Sequence, residues 1–247
     1  MTPHHQYYGS VQSPVTPLPP LAINTFDYNK SDWDAKPNPF VFTLGFTPTV
    51  GRFLVAAVAY YTQWNFASTY PVITQTGATW VNVVKEHRNS PGNTENAGVA
   101  LLYSYVPGVV STSVSVAFPS PAWGNGSQRS SVAIYEITGV RDFSPVNRTL
   151  ADLTPGSMLF ASPTTVADTV WISIIRSNTA AVGGAVSPAG WVEDVDDFIS
   201  QGTLDNDCAR VSSKIFSATS QETVVHTNVG AGASRPVGVM AAFRRAA

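Results

Sequence analysis

From Phe40 to the C terminus, apolar and polar positions alternate in short runs separated by clusters of Gly, Pro, Asn and Ser. Val114, Val116 and Phe118 interleave with Ser113, Ser115 and Ala117, a period of two that puts one face in a core and the other in water. Runs rich in Val, Ile, Thr, Tyr and Phe predict strands over 40–46, 53–62, 79–86, 97–106, 112–118 and 131–138. A second set follows over 157–162, 169–177, 190–195, 209–218, 222–229 and 236–244. No window of twelve or more residues carries a helical apolar stripe, so the expected fold class is all-β.

The two sets resemble each other. Arg52-Phe-Leu-Val-Ala-Ala-Val answers Asp168-Thr-Val-Trp-Ile-Ser-Ile, and Gly77-Ala-Thr-Trp-Val answers Ala189-Gly-Trp-Val. Trp80 and Trp191 stand 111 positions apart, Val114 and Val224 110, and Val132 and Val237 105. A nearly constant offset over four strands points to duplication, with pseudo-repeats at 40–140 and 157–245. Neither half has enough predicted strands to bury two sheet faces. The expectation is a single domain, 40–247, in which both halves share one core: a two-sheet antiparallel, jelly-roll-like sandwich of ten to twelve strands.

Residues 1–39 read differently. They hold seven of the 18 prolines and little periodicity, which predicts an extended arm in polyproline or edge conformation. Leu18, Leu21, Ile23 and Phe26 are the side chains able to pin it, either along its own domain or onto a neighbouring subunit.

Composition narrows the function classes. Fourteen basic against 16 acidic side chains give a net charge of −2, which offers no electrostatic footprint for nucleic acid or an anionic membrane. The longest apolar run, Phe53 to Tyr61, is far short of the roughly 20 residues a membrane helix needs. The first twenty residues contain no Lys or Arg and no continuous apolar stretch, so no secretory signal is expected. Cys208 is the single cysteine, which leaves no internal disulfide framework or cysteine zinc site. Only 12% of residues are charged, as suits a chain whose surface is covered by partners.

The order of motifs resembles a β-sandwich domain recurrent in bacteriophage virion proteins and in some secreted bacterial proteins. The residues that carry this are Gly51-Arg-Phe-Leu-Val-Ala-Ala, Thr76-Gly-Ala-Thr-Trp80, Leu101-Leu-Tyr-Ser-Tyr105, Thr112-Ser-Val-Ser-Val116, Val132-Ala-Ile-Tyr-Glu-Ile-Thr-Gly-Val140 and Val239-Met-Ala-Ala-Phe243. The match spans roughly 40–245. Arg52 stands where the family often has Asp, and the proline-rich arm lies outside the resemblance. What the resemblance implies is a display, attachment or binding module, a minor tail or surface decoration protein located on the virion. Its implied partners are other virion proteins and further copies of itself. A host-surface glycan is a further candidate partner.

Chemistry-bearing motifs are sparse. There is no Gly-x-Ser-x-Gly elbow, HExxH helix, phosphate loop or dinucleotide fingerprint, so no cofactor and no enzymatic reaction are expected. His87 and His226 are the histidines outside the arm, and nothing in sequence assembles a triad on either. Glu86, Glu95 and Glu136 could supply an acid pair for glycoside hydrolysis; the alternative for Glu136, on the same side as Ile134, is a paired inward or rim carboxylate. Glu193, Asp194, Asp196, Asp197, Asp205 and Asp207 crowd fifteen residues. They read as a solvated acidic loop, or as oxygen ligands for Ca²⁺ drawn from Asp194, Asp196, Asp205 and Asp207, though the spacing is not that of an EF-hand.

Aromatic loops carry the better recognition signal. Tyr60, Tyr61, Trp64, Phe66 and Tyr70 fall within eleven residues with Gln63, Asn65, Ser68 and Thr69 between them, and Trp123 sits in a Gly-rich tip. Rings beside amides suit sugar stacking or a protein hot spot; they also suit plugging the open end of a sandwich. The leading expectation is a non-catalytic virion component that docks by its arm and presents Tyr61, Trp64, Phe66, Tyr70 and Trp123 at a rim. A carbohydrate-binding module and a glycan hydrolase are the competing readings.

Overall fold

The most apolar runs become the central strands. β3 (Phe53–Thr62) and β12 (Thr169–Asn178) each pair antiparallel on both sides and bury side chains on both faces, which is why they read as nearly unbroken apolar sequence. The computed structural model describes residues 19–31, 39–62, 70–89, 96–118, 130–140, 148–152, 157–160, 164–165, 167–178, 187–199, 207–221, 224–227 and 237–245.

Around β3 lie β8 (Ser130–Thr138) and β1 (Ala22–Lys30) on one side, and β6 (Asn96–Tyr105) and β5 (Val81–Asn89) on the other, in the order β1-β8-β3-β6-β5. Around β12 lie β17 (Val237–Arg244) and β9 (Arg148–Asp152), and β14 (Asp207–Phe216) and β13 (Val192–Ile199), in the order β9-β17-β12-β14-β13. Past β9 the second sheet continues through β10 (Ser157–Phe160) to β16 (Val224–Thr227). The first half instead has a separate three-stranded sheet, β2 (Phe40–Thr43), β7 (Ser113–Ala117) and β4 (Val72–Thr74), in the order β2-β7-β4. β11 (Thr164–Thr165) and β15 (Ser220–Gln221) form a two-stranded pair.

The fold is thus an all-β antiparallel sandwich, with three core layers. Phe53, Val55, Ala57, Tyr135 and Ile137 of the first sheet pack against Val170, Ile172, Val211, Val239 and Phe243 of the second, so the halves share a core. The opposite face of the first sheet, through Leu54, Val58 and Ile134, packs on Phe42 and Val114 of the outer sheet. The opposite face of the second, through Trp171, Ile175 and Met240, packs on Phe160 and Val224. Each half therefore covers its own outer face, beyond the shared core expected from ten to twelve strands. The extra strands β1, β4, β9, β11 and β15 are short or poor in apolar residues, so pattern alone passes over them.

The two halves repeat one pairing pattern. β3 and β6 form ten pairs, as do β12 and β14; β3 and β8 form eight, as do β12 and β17. β5 and β13 carry the same bulge: Asn82 and Val84 oppose Leu102 and Leu101, while Glu193 and Val195 oppose Ser212 and Val211. The bulged residues are Val83 and Asp194. Trp80 and Trp191 pack on equivalent outer layers, as do Val114 and Val224. Two sequence alignments are one residue out. Phe53 faces the shared core as Val170 does, whereas Thr169 is not in that core; Val132 faces outward but Val237 inward. A period-two pleat fixes the correct matches as Phe53 with Val170 and Val132 with Gly238, because a one-residue slip exchanges the faces.

The sandwich also begins earlier than residue 40. β1 pairs with β8 from Ala22↔Thr138 to Lys30↔Ser131, in the place that β9 takes beside β17, so it is the first strand of the repeat. Leu21 and Ile23 pack against the shared core and Phe26 stacks on Tyr135 with ring centroids 5.6 Å apart. This part of the arm straps its own domain; Leu18 lies outside the described residues.

Candidate functional site

Antiparallel pairing decides which connections share an end of the sandwich. β3 ends at Thr62 opposite Asn96, β5 ends at Asn89 opposite the same residue, β8 starts at Ser130 opposite Tyr60, and β1 ends at Lys30 opposite Ser131. In the second half, β12 and β13 end at Asn178 and Ile199 opposite Asp207, and β17 starts at Val237 opposite Arg176. Contacts of Lys30 and Ser131 with Asp197 show that both sets of termini lie at one end of the molecule. The described strand termini Lys30, Thr62, Asn89, Ser130, Asn178, Ile199 and Val237 are therefore gathered at that end. Trp64, Phe66 and Trp123 lie outside the described residues, and Tyr61 is placed by its backbone in β3 with its side chain outside the description.

Of the five aromatics expected at a rim, Tyr70 is the one with described side-chain contacts. It is half-buried, with Lys85 Nζ 3.7 Å above its ring and its hydroxyl 3.4 Å from His87 Nδ1. Lys85 and His87 are two apart on β5 and so project on one side of the strand. Tyr60 behaves as a plug. Its ring packs 5.8 Å from Phe118 and lies across Gly98, where a Cβ would come within 2.2 Å of the ring, so the strand position opposite Tyr60 has room for glycine alone. Burial pushes the Tyr60 phenol well above its ordinary value; Tyr70 and Glu86 push the same way and Arg176 opposes them. Tyr60 is thus packed into the core, while Tyr70 stays half-buried against Lys85 and His87.

The acidic segment has two faces. Asp196 accepts from Arg210 Nη2 at 2.6 Å, and Glu193 pairs with Nη1 of the same buried arginine. Asp194, on the bulge, accepts from the Tyr135 hydroxyl at 3.0 Å across the seam between halves. Burial raises the Asp194 carboxyl above its ordinary value, partly opposed by hydrogen bonds from Ser213 and Tyr135. Asp197 accepts from Tyr28, from Ser131 at 3.1 Å and from Lys30 at 3.2 Å. The described acids are divided between opposite faces and already have protein partners, and among the described residues no three His, Cys, Asp or Glu converge as a metal site. Asp205 lies outside the described residues; Asp207 and Cys208 are placed in β14 by backbone alone.

Among the described candidate catalytic groups, Glu136, Glu86 and His226 have hydrogen-bond partners, and Glu95 lies outside the described residues. Glu136 accepts from the Thr49 amide at 2.6 Å and pairs with Arg52 Nη1 at 2.6 Å, so it tethers the turn entering β3 as a buried, paired carboxylate on the side of Ile134. Arg52, which departs from the resembled pattern, is the partner this carboxylate uses. His226 Nε2 lies 2.9 Å from Ser173 Oγ, a nucleophile-and-base pairing in outline, and both residues are fully buried. Lys85, Tyr28 and Lys30 were not singled out in sequence, because their partners are 15, 169 and 167 residues away and only the assembled sheets bring them together.

No family model, no curated protein and no solved structure matches this chain.

Proposed function

We propose that the protein is a non-catalytic structural component of a bacteriophage virion, a minor tail or surface decoration subunit. In this reading the fused double sandwich is its rigid body and the end where its strand termini gather its recognition surface. The observation that carries this is a scaffold whose two halves share a core and whose described strand termini Lys30, Thr62, Asn89, Ser130, Asn178, Ile199 and Val237 gather at one end. Sandwiches use this arrangement to vary contacts without disturbing the fold. The sequence resemblance supplies the virion setting. Engagement of Glu136 by Arg52 and Thr49, and the burial of Ser173 and His226, favour presentation over hydrolysis.

Docking to the particle falls to surfaces other than Leu21 and Ile23, which are engaged by the chain's own core. Particles purified by density gradient from cells carrying the gene in its native setting are expected to contain the chain in fixed stoichiometry. Its absence from such particles would remove the virion reading.

Tyr70 with Lys85 and His87 favours one second reading, a carbohydrate-binding module without catalysis. Titration with wall polysaccharides is expected to give binding that weakens at least about tenfold in Tyr70→Ala if that ring stacks on sugar. No binding at millimolar ligand would exclude it.

A further inference from the structure

The two halves carry opposite charge on equivalent edge strands. β5 and β13 occupy the same position in the repeat and share the same bulge, and among the described residues each has a strand partner on one side only, β6 and β14 respectively. β5 reads Val-Asn-Val-Val-Lys-Glu-His-Arg-Asn, with two cations and one anion; β13 reads Val-Glu-Asp-Val-Asp-Asp-Phe-Ile, with four anions and no cation. Lys85 is exposed on the first, and Glu193 and Asp196 are exposed on the second, where the single Arg210 guanidinium pairs with both. Both strands open on an exposed valine at the equivalent position, Val81 at 43% and Val192 at 61%.

These edges lie on opposite flanks. β13 sits over β1 and β8, through Asp197 with Tyr28, Lys30 and Ser131 and through Asp194 with Tyr135. β5 is at the far side of the β1-β8-β3-β6-β5 sheet. An attractive pair of surfaces on opposite flanks cannot close on itself within one molecule. We propose that the chain associates head to tail with a second copy of itself, the β5 flank of one copy meeting the β13 flank of the next. Such a contact is heterologous and propagates into a ring or a filament. Since the bulge interrupts each edge, side-chain charge and the two valines lead the contact, and a continuous added strand does not. The inference holds whether or not the chain belongs to a virion.

The experiment is sedimentation of the full chain between about 0.02 M and about 0.5 M salt, over which the screening length falls from tens of Å to a few Å. Association is expected at low salt, weakening at least about tenfold at high salt. Lys85→Glu on one flank and Val192→Lys on the other are each expected to sediment as monomers at low salt with unchanged melting. Mixing the two variants is expected to restore association, because each supplies the flank the other lacks. Both positions are exposed, and the salt series on the unaltered chain stands even if one variant melts early. A chain that is monomeric at low salt, an oligomer indifferent to salt and to Lys85→Glu, or variants that stay monomeric when mixed would each overturn the proposal.

Discussion

The two halves have the same strand order, pairing and bulge, yet differ in what they place at equivalent points. At the bulge the first half puts Val83 into the shared core, where the second puts Asp194 against Tyr135. Over its outer face the first half has a separate sheet, while the second continues its main sheet through β9 and β10 to β16. The backbone plan thus survives a change of core chemistry so long as each polar group brought into the seam meets a partner. Polar groups concentrate on the β13 side, where Asp194 and Asp197 contact the first half; the opposite side, where β17 faces β5 and β6, includes Val83, Val84, Leu101 and Val239 among its packed side chains.

Equivalent substitutions in the two halves break or sharpen this comparison. Leu54 and Trp171 match under the structural register and both are fully buried on the outward faces of their sheets. Trp171→Ala is expected to cost about 4 kcal/mol and Leu54→Ala about 3 kcal/mol by denaturant unfolding. Equal or reversed costs would show that the outer layers do not correspond. Exchange at the bulge comes next. Val83→Asp buries a carboxylate where the first half has an apolar side chain and is expected to cost about 3 kcal/mol. Asp194→Val removes a buried carboxyl but strands the Tyr135 hydroxyl, and the two effects offset to within about 1 kcal/mol. A similar large loss for both would mean that the two bulges are not interchangeable frames.

The turns that precede the two bulged strands differ as well. Gly77 has φ +87° and a Cβ there would meet the Val109 carbonyl oxygen at 2.4 Å, whereas Gly190 has φ +77° with its nearest neighbour, Lys214 Nζ, at 3.5 Å. Gly77→Ala is expected to lower stability by about 2 to 3 kcal/mol and Gly190→Ala by about 1 kcal/mol, read as shifts in the denaturant midpoint.

The smallest effect is a pH dependence. Because burial raises the Asp194 pKa in the folded state, its proton is held more tightly folded than unfolded. Its contribution favours folding below the ordinary aspartate range and is lost as pH rises through the folded value. Asp194→Asn is therefore expected to match the parent in acid and to exceed it at neutral pH. A variant that loses ground to the parent as pH rises would contradict that sign.

Much of the fold was legible because its signal is local. The alternation around Val114 and the apolar runs at 53–62 and 169–177 mark strands that the structure contains. Trp80 and Trp191 gave the correct repeat offset, since both follow a turn and precede the bulge. The matches at Arg52 and Val132 slipped by one because apolar residues fill both faces of β3, β8 and β17, leaving no alternation to fix parity. β1 was hidden for the opposite reason: Asn24, Asp27, Asn29 and Lys30 make it polar, and prolines on both sides disguise an edge strand as a linker. Of the candidate site, the sequence marked Tyr70 by its place in an aromatic run after β3. The pairing of Tyr70 with Lys85 and the division of Asp194, Asp196 and Asp197 between two faces depend on register and on a bulge, neither of which composition records.

The central claim is that the two repeats fold as one unit because they share a core, and scanning calorimetry of the whole chain addresses it most directly. A single transition is expected, with calorimetric and van't Hoff enthalpies agreeing, since neither half can bury the inner faces of β3 and β12 alone. Two resolved transitions, each carrying about half of the enthalpy, would contradict it.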